Sequence, residues 1–211
     1  MSDSVLRKIR KQRPGNDSLI ADTVSVEARR NAVLRELDRA RVAFRDVSRA
    51  TDSRTVRACL VPRGVLLTNT APYLAFASGG PPQQAACIAV MNSVAFDWQA
   101  RRFVETHLNF FVLQGLCLPP LSDEDFDAIA GASARLSCAD ERFADFASAV
   151  GIEPRELNAE EREQLRVEID ARVAHAWKLT ADDMHLILRD FTLDAVPLRY
   201  RERLLVRLAA M

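Results

Sequence analysis

The chain predicts an α+β fold, a small mostly antiparallel sheet with a packed helix, followed by a helical C-terminal part. Three observations predict it. Between residues 41 and 77, charged and apolar residues alternate in short runs separated by polar loops and prolines, the pattern of half-buried strands. After Pro120, apolar residues recur at helical spacing instead. Strands first and helices afterwards, with no regular strand–helix–strand alternation, argue against a doubly wound parallel sheet.

Taken in order, residues 1–25 read as a basic flexible arm broken at Pro14-Gly15-Asn16-Asp17. An α/β core is expected over residues 26–121. It opens with a helix over 26–40, where Val33, Leu34 and Leu37 fall at helical spacing. "RVAFRDV" predicts a strand over 41–47 and "SRATDSR" a polar loop. "TVRACLV", ended by Pro62, predicts a second strand, "GVLLTN" a third and "PYLAFA" a fourth. "SGGPP" at 78–82 is a strong breaker. A helix over 83–104 follows, marked by Ile88, Met91, Ala95, Trp98 and Phe103. "NFFVLQGLCL" then predicts a short strand or extended segment, closed by Pro119-Pro120.

Residues 122–211 form the helical region. Ser122 followed by "DED" supplies an N-cap and early acids for a helix reaching Leu136. Further helices are expected over 139–150, 159–176, 180–190 and 198–209, punctuated by Gly151, Pro154 and Pro197.

Composition narrows the function. The 211 residues are 48% hydrophobic and 27% charged, ordinary for a globular protein. No apolar run approaches the roughly 20 residues that span a bilayer, so no membrane partner is expected. The basic N-terminus has no apolar segment behind it to act as a secretory signal. Cys59, Cys87, Cys117 and Cys138 stand singly in apolar segments, which suits small buried thiols in a reducing cytosol. The chain is expected in the cytoplasm.

The net charge of zero is unevenly distributed. Residues 1–107 hold 17 Lys and Arg against 10 Asp and Glu, and residues 108–211 hold 12 against 19. Of the 29 basic residues only Lys8, Lys11 and Lys178 are lysines. Arginine forks suit phosphates and guanine edges, and uneven charge points to a nucleic-acid face; an arginine-rich genome explains the composition equally well.

Catalytic signatures are missing. "GPPQ" and "LPPL" have neither the Asp or Asn before the prolines nor the aromatic after them that amino-group methylation needs. No Gly-x-Gly loop follows a strand, no Gly-x-Ser-x-Gly occurs, and a nuclease site is hard to place with one lysine outside the arm. His175 and His185 straddle a predicted helix break and read as helix-face residues rather than metal ligands. No catalysis, cofactor or metal is expected.

Three stretches carry a resemblance: "RVAFRDVSRATDSRTVRACLVPRGVLLTNTAPYLAF", "AVMNSVAFDWQARRFVETHLNFFVLQGLCLP" and "EIDARVAHAWKLTADDMHLILRDF". Over residues 41–207 the chain resembles the C-terminal target-recognition region of type IIG restriction–modification enzymes and related phage-defence N6-adenine methyltransferases. The resemblance implies that residues 26–121 form a target-recognition core binding duplex DNA. The methylase half has no counterpart here, so the resemblance implies a fragment, a truncated remnant or a subunit acting beside a separate methyltransferase or endonuclease chain that supplies catalysis.

Candidate DNA-binding residues follow. Arg45, Arg49, Arg54 and Arg57 cluster on a loop between predicted strands. Asn69 offers an amide for base readout, although turn formation in "LLTNTAPY" is the simpler role. Arg101 and Arg102 complement a helix C-terminus or reach a phosphate, while Asn109 caps the turn beyond them. Trp98, Phe103, Phe110 and Phe111 read as core rather than a base-stacking platform. The alternative function is a protein-interaction or scaffold subunit docking through the acidic "NAEEREQLRVEID". A degenerate remnant is a third reading.

Overall fold

The computed structural model describes residues 37–76 and 78–211. The expected arm over 1–25, and the expected helix over 26–40 except its last residues, lie outside the described residues.

Three short strands form one antiparallel sheet: β1 (Arg41–Phe44), β2 (Ala58–Val61) and β3 (Tyr73–Leu74), in the order β2-β1-β3. Val42 faces Leu60 on one side and Leu74 on the other. All four residues of the central strand are buried, so β1 is covered on both faces. Pairing continues beyond the strand ends, with Arg45 N–H donating to the Arg57 carbonyl and Asp46 N–H to that of Thr70, each at 3.0 Å. The expected strand in "GVLLTN" does not form. Gly64, at φ +77°, turns the chain there, and Val65 and Leu66 are exposed beside no partner strand. "PYLAFA" contributes only its Tyr73–Leu74 pair.

The expected helix over 83–104 is two helices, α1 (Pro81–Asn92) and α2 (Val94–Ala100). Apolar spacing runs on through the break, which is why the sequence reads as one helix. Ser93 adopts an extended conformation, and its hydroxyl accepts from Phe96 N–H to cap α2. Before α1, the Gly80 N–H donates to Gln83 Oε1 at 2.8 Å. Gly79 sits at φ +87°, and a Cβ there would meet Gln83 Cγ at 2.8 Å.

"NFFVLQGLCL" is also corrected. It opens as a one-turn helix, α3 (Phe110–Gln114), because Asn109 Oδ1 accepts from Val112 N–H at 2.9 Å. The local cap wins over the apolar run. Trp98 is core, whereas Phe103, Phe110 and Phe111 are exposed; Phe110 packs edge-on against Phe44 with ring centres 5.5 Å apart.

The remaining helices follow expectation closely. They are α4 (Asp123–Ser137), α5 (Ala144–Ala149) after a 3-10 turn at Glu141–Phe143, α6 (Ala159–Ala176), α7 (Ala181–Leu188) and α8 (Leu198–Ala209). Capping boxes explain the sharp starts: Asn158 with Glu161 on α6, and Thr180 with Asp183 on α7. The described residues thus show an α+β fold with a three-stranded sheet and eight α-helices.

Helix α1 is the hub. Gln84–Met91 are all buried, since the helix packs on the sheet with one side and on α4 with another. One apolar cluster runs from Val42 through Ile88, Ile129 and Met184 to Leu208. The change of architecture after residue 121 therefore does not interrupt the core. Among the described residues no helix is long and apolar enough to cross a membrane.

Candidate functional site

Loop 48–57 is built around a carboxylate from a distant helix. Asp97, in the apolar stretch "VAFDWQA", is completely buried. Its oxygens accept from Arg54 Nε at 2.9 Å and Arg101 Nε at 2.8 Å, and from the Thr55 and Val56 backbone N–H groups at 3.3 and 3.2 Å. A buried charge is tolerated only when paired and hydrogen-bonded, and four donors meet that need.

The arginines predicted to contact DNA are thereby divided. Arg101 also donates to the carbonyls of Ala50, Asp52 and Ser53 at 2.7–2.9 Å. Arg54 donates to the Asn92 carbonyl as well as to Asp97. Arg45 bonds Asp52, the Ser48 hydroxyl and the Arg54 carbonyl. These three guanidiniums hold the loop's shape. Arg102 lies over the Trp98 ring, 4.4 Å from its centre, and pairs with Asp190.

Arg49 and Arg57 differ: both are exposed, and among the described residues neither pairs with a carboxylate and Arg57 donates only to Ser53 Oγ at 2.8 Å. Asn69 is exposed in a turn closed by the Ala71 N–H to Thr68 carbonyl bond. Asn109 is the N-cap of α3. The structure does not gather all eight candidates on one surface feature: Arg45, Arg49, Arg54 and Arg57 share the loop, with Arg101 beneath it.

Beside this loop opens a cleft of about 730 Å³, walled by β2, α1, α4, α6 and the start of α8. Ile88, Leu136, Val196 and Pro197 make its apolar side. Asp170 lies in its floor, 4% exposed, accepting from Val94 N–H at 2.8 Å and the Tyr200 hydroxyl at 2.6 Å. Burial pushes the Asp170 carboxyl and the Tyr200 phenol above their usual ranges, although Arg54 and Arg166 pull both down. Arg57, Arg162 and Arg166 line the cleft as well. Arg162 and Arg166, one turn apart on α6, share a helix face and make no ion pair or side-chain hydrogen bond among the described residues.

Most acids of "NAEEREQLRVEID" face α8, whereas Glu161 pairs with Arg155 and caps α6. Arg199 pairs with Glu160, Arg203 with Glu163 and Arg207 with Glu168, each at 2.6 Å. Hydrogen bonds from Arg203 and Arg207, respectively, hold the Glu160 and Glu168 carboxyls below the usual range. The acidic run is thus one side of an intramolecular seam. Among the described residues, no group of three His, Cys, Asp or Glu is arranged to hold a metal ion.

Sequence reasoning passed over Asp97, Asp170 and the Arg162–Arg166 pair. A lone aspartate inside an apolar helical stretch was the available signal for Asp97, because such a residue demands donors. For Asp170 and Tyr200 no local signal exists, since 30 residues separate them. No protein-family model, curated protein or solved structure matches the chain.

Proposed function

We propose that the chain is a DNA-binding target-recognition module of a restriction–modification or phage-defence adenine methyltransferase system, acting in the cytoplasm beside a separate catalytic chain and without catalysis of its own. One observation supports this best. Buried Asp97 anchors loop 48–57 through Arg54, Arg101, Thr55 and Val56, and the loop's remaining arginines, Arg49 and Arg57, are exposed without carboxylate partners. An anchored loop carrying unpaired guanidiniums positions phosphate contacts with little ordering cost.

Fluorescence anisotropy against a random duplex at low salt tests the reading. Affinity should fall steeply as salt rises, because phosphate neutralisation releases counterions. No binding at protein concentrations on the order of tens of micromolar, within the usual non-specific range, overturns it.

A further inference from the structure

We propose that the cleft between β2, α1, α4 and α6 binds a phosphate ester carried on an apolar or aromatic body, such as a nucleotide, through Arg162 and Arg166 with Arg57 at the rim. The inference goes beyond the duplex-binding reading and does not depend on it.

Two carboxylates line the cleft, and both are already satisfied. Glu163 is paired with Arg203 and Arg199. Asp170 is held by Tyr200 and the Val94 N–H, and its burial favours the neutral form. The arginines are the reverse: Arg54 is matched by Asp97, while among the described residues Arg57, Arg162 and Arg166 form no ion pair, and Arg166 feels only the charge of the buried Asp170. Three guanidiniums without an ion pair around one concavity suit a dianion better than a single carboxylate, and planar forks match phosphate oxygens.

The rest of the wall selects the body. Ile88, Leu136, Val196 and Pro197 add apolar surface to the lining, and about 730 Å³ is ample for a nucleotide-sized ligand. Arg162 and Arg166 come from one helix that packs against both α4 and α8, so their backbone positions are set before a ligand binds.

Calorimetric titration of the whole chain with thymidine monophosphate, inorganic phosphate, thymidine and benzoate tests the assignment. Thymidine monophosphate should bind tightest, inorganic phosphate more weakly, and benzoate and thymidine weakest. The double variant Arg162→Ala/Arg166→Ala should weaken both phosphate probes by at least about tenfold. Among the described residues neither side chain forms an ion pair or hydrogen bond, so an unchanged melting curve separates lost binding from lost folding. Lysine at both positions should retain part of the affinity. Cys59 lines the cleft and is the one exposed cysteine of the four, so thymidine monophosphate should slow its alkylation.

A single-stranded oligonucleotide that displaces thymidine monophosphate identifies the source as a nucleotide within a strand; failure to compete identifies a free nucleotide. Either result upholds the phosphate-ester assignment. Equal affinity in the double variant, benzoate binding as tightly as thymidine monophosphate, or no binding of either phosphate probe overturns it. Loss of duplex binding with intact thymidine monophosphate binding would instead overturn only the duplex reading.

Discussion

The junction around Asp97 and the seam between α6 and α8 both pair arginines with carboxylates, yet the two are built for different ends. At the junction one fully buried carboxylate holds two guanidiniums, and Arg101 is itself only 8% exposed. At the seam the pairs lie near water, and Arg199 is 66% exposed. Arginine count is the same signal in both places; burial decides its meaning. Buried pairs that lose one partner leave an uncompensated charge, whereas exposed pairs are screened and contribute little.

The sharpest test removes the shared carboxylate. Asp97→Ala leaves two guanidiniums and two backbone N–H groups without their acceptor, and should destabilise the chain by about 3–5 kcal/mol in urea unfolding. Arg54→Ala and Arg101→Ala should each cost about 1.5–3 kcal/mol, since Asp97 keeps one arginine in either case. A loss below about 1 kcal/mol for Asp97→Ala would place the junction in the same class as the seam.

Asp170 gives the second test, because it is buried like Asp97 but has no arginine bonded to it. Asp170→Ala strands Val94 N–H and the Tyr200 hydroxyl, at about 1–3 kcal/mol each. Asp170→Asn can accept from Val94 and donate to Tyr200, so its cost should be much smaller. The pH sign follows from the raised carboxyl. The folded form holds its proton more tightly than the unfolded chain, so this contribution is full below the ordinary Asp value near ~3.9 and is lost as pH rises through the folded value. Asp170→Asn should remove that decline in a series of unfolding curves.

These contrasts explain what could be read from the sequence. The α+β class and helices α4, α6, α7 and α8 were legible because Ser122, Asn158, Thr180 and Pro197 mark their starts by local chemistry. The sheet was overdrawn: "GVLLTN" has strand composition, but pairing is decided by a partner edge that sequence does not display. "NFFVLQGLCL" failed for the opposite reason, since Asn109 as a cap outweighed an apolar run too short to decide between helix and strand. The loop arginines stand close together in the sequence, yet their division into internal struts and free forks depends on Asp97, about 40 residues away. The cleft was illegible because its walls come from β2, α1, α4, α6 and α8 together.

A smaller effect is expected at the seam. Glu168→Gln removes a carboxylate shared by Arg207 and Arg172. Those arginines lower its proton affinity in the folded state, so its contribution is present above the ordinary Glu value near ~4.3 and is lost as pH falls through the folded value. The stability loss at pH 7 should stay within roughly 1 kcal/mol and shrink in high salt. A loss that persists in high salt would show that the seam is dry, like the junction.

The smallest stability effect belongs to Arg49, and it is the cleanest probe of DNA contact. Arg54 and Arg101 cannot serve, because removing either disturbs the loop itself and confounds binding with folding. Arg49 is exposed and pairs with no carboxylate, so Arg49→Ala should change stability by less than about 0.5 kcal/mol. If its guanidinium neutralises a phosphate, the variant should bind every duplex more weakly and flatten the salt dependence by about one unit. Arg57→Ala should behave alike in duplex binding. Its place on the cleft rim adds a weaker affinity for thymidine monophosphate, which Arg49→Ala should leave untouched. A salt slope unchanged in both variants would mean that the free forks of loop 48–57 only solvate the surface, and the comparison would reduce to buried against exposed ion pairs without a DNA face.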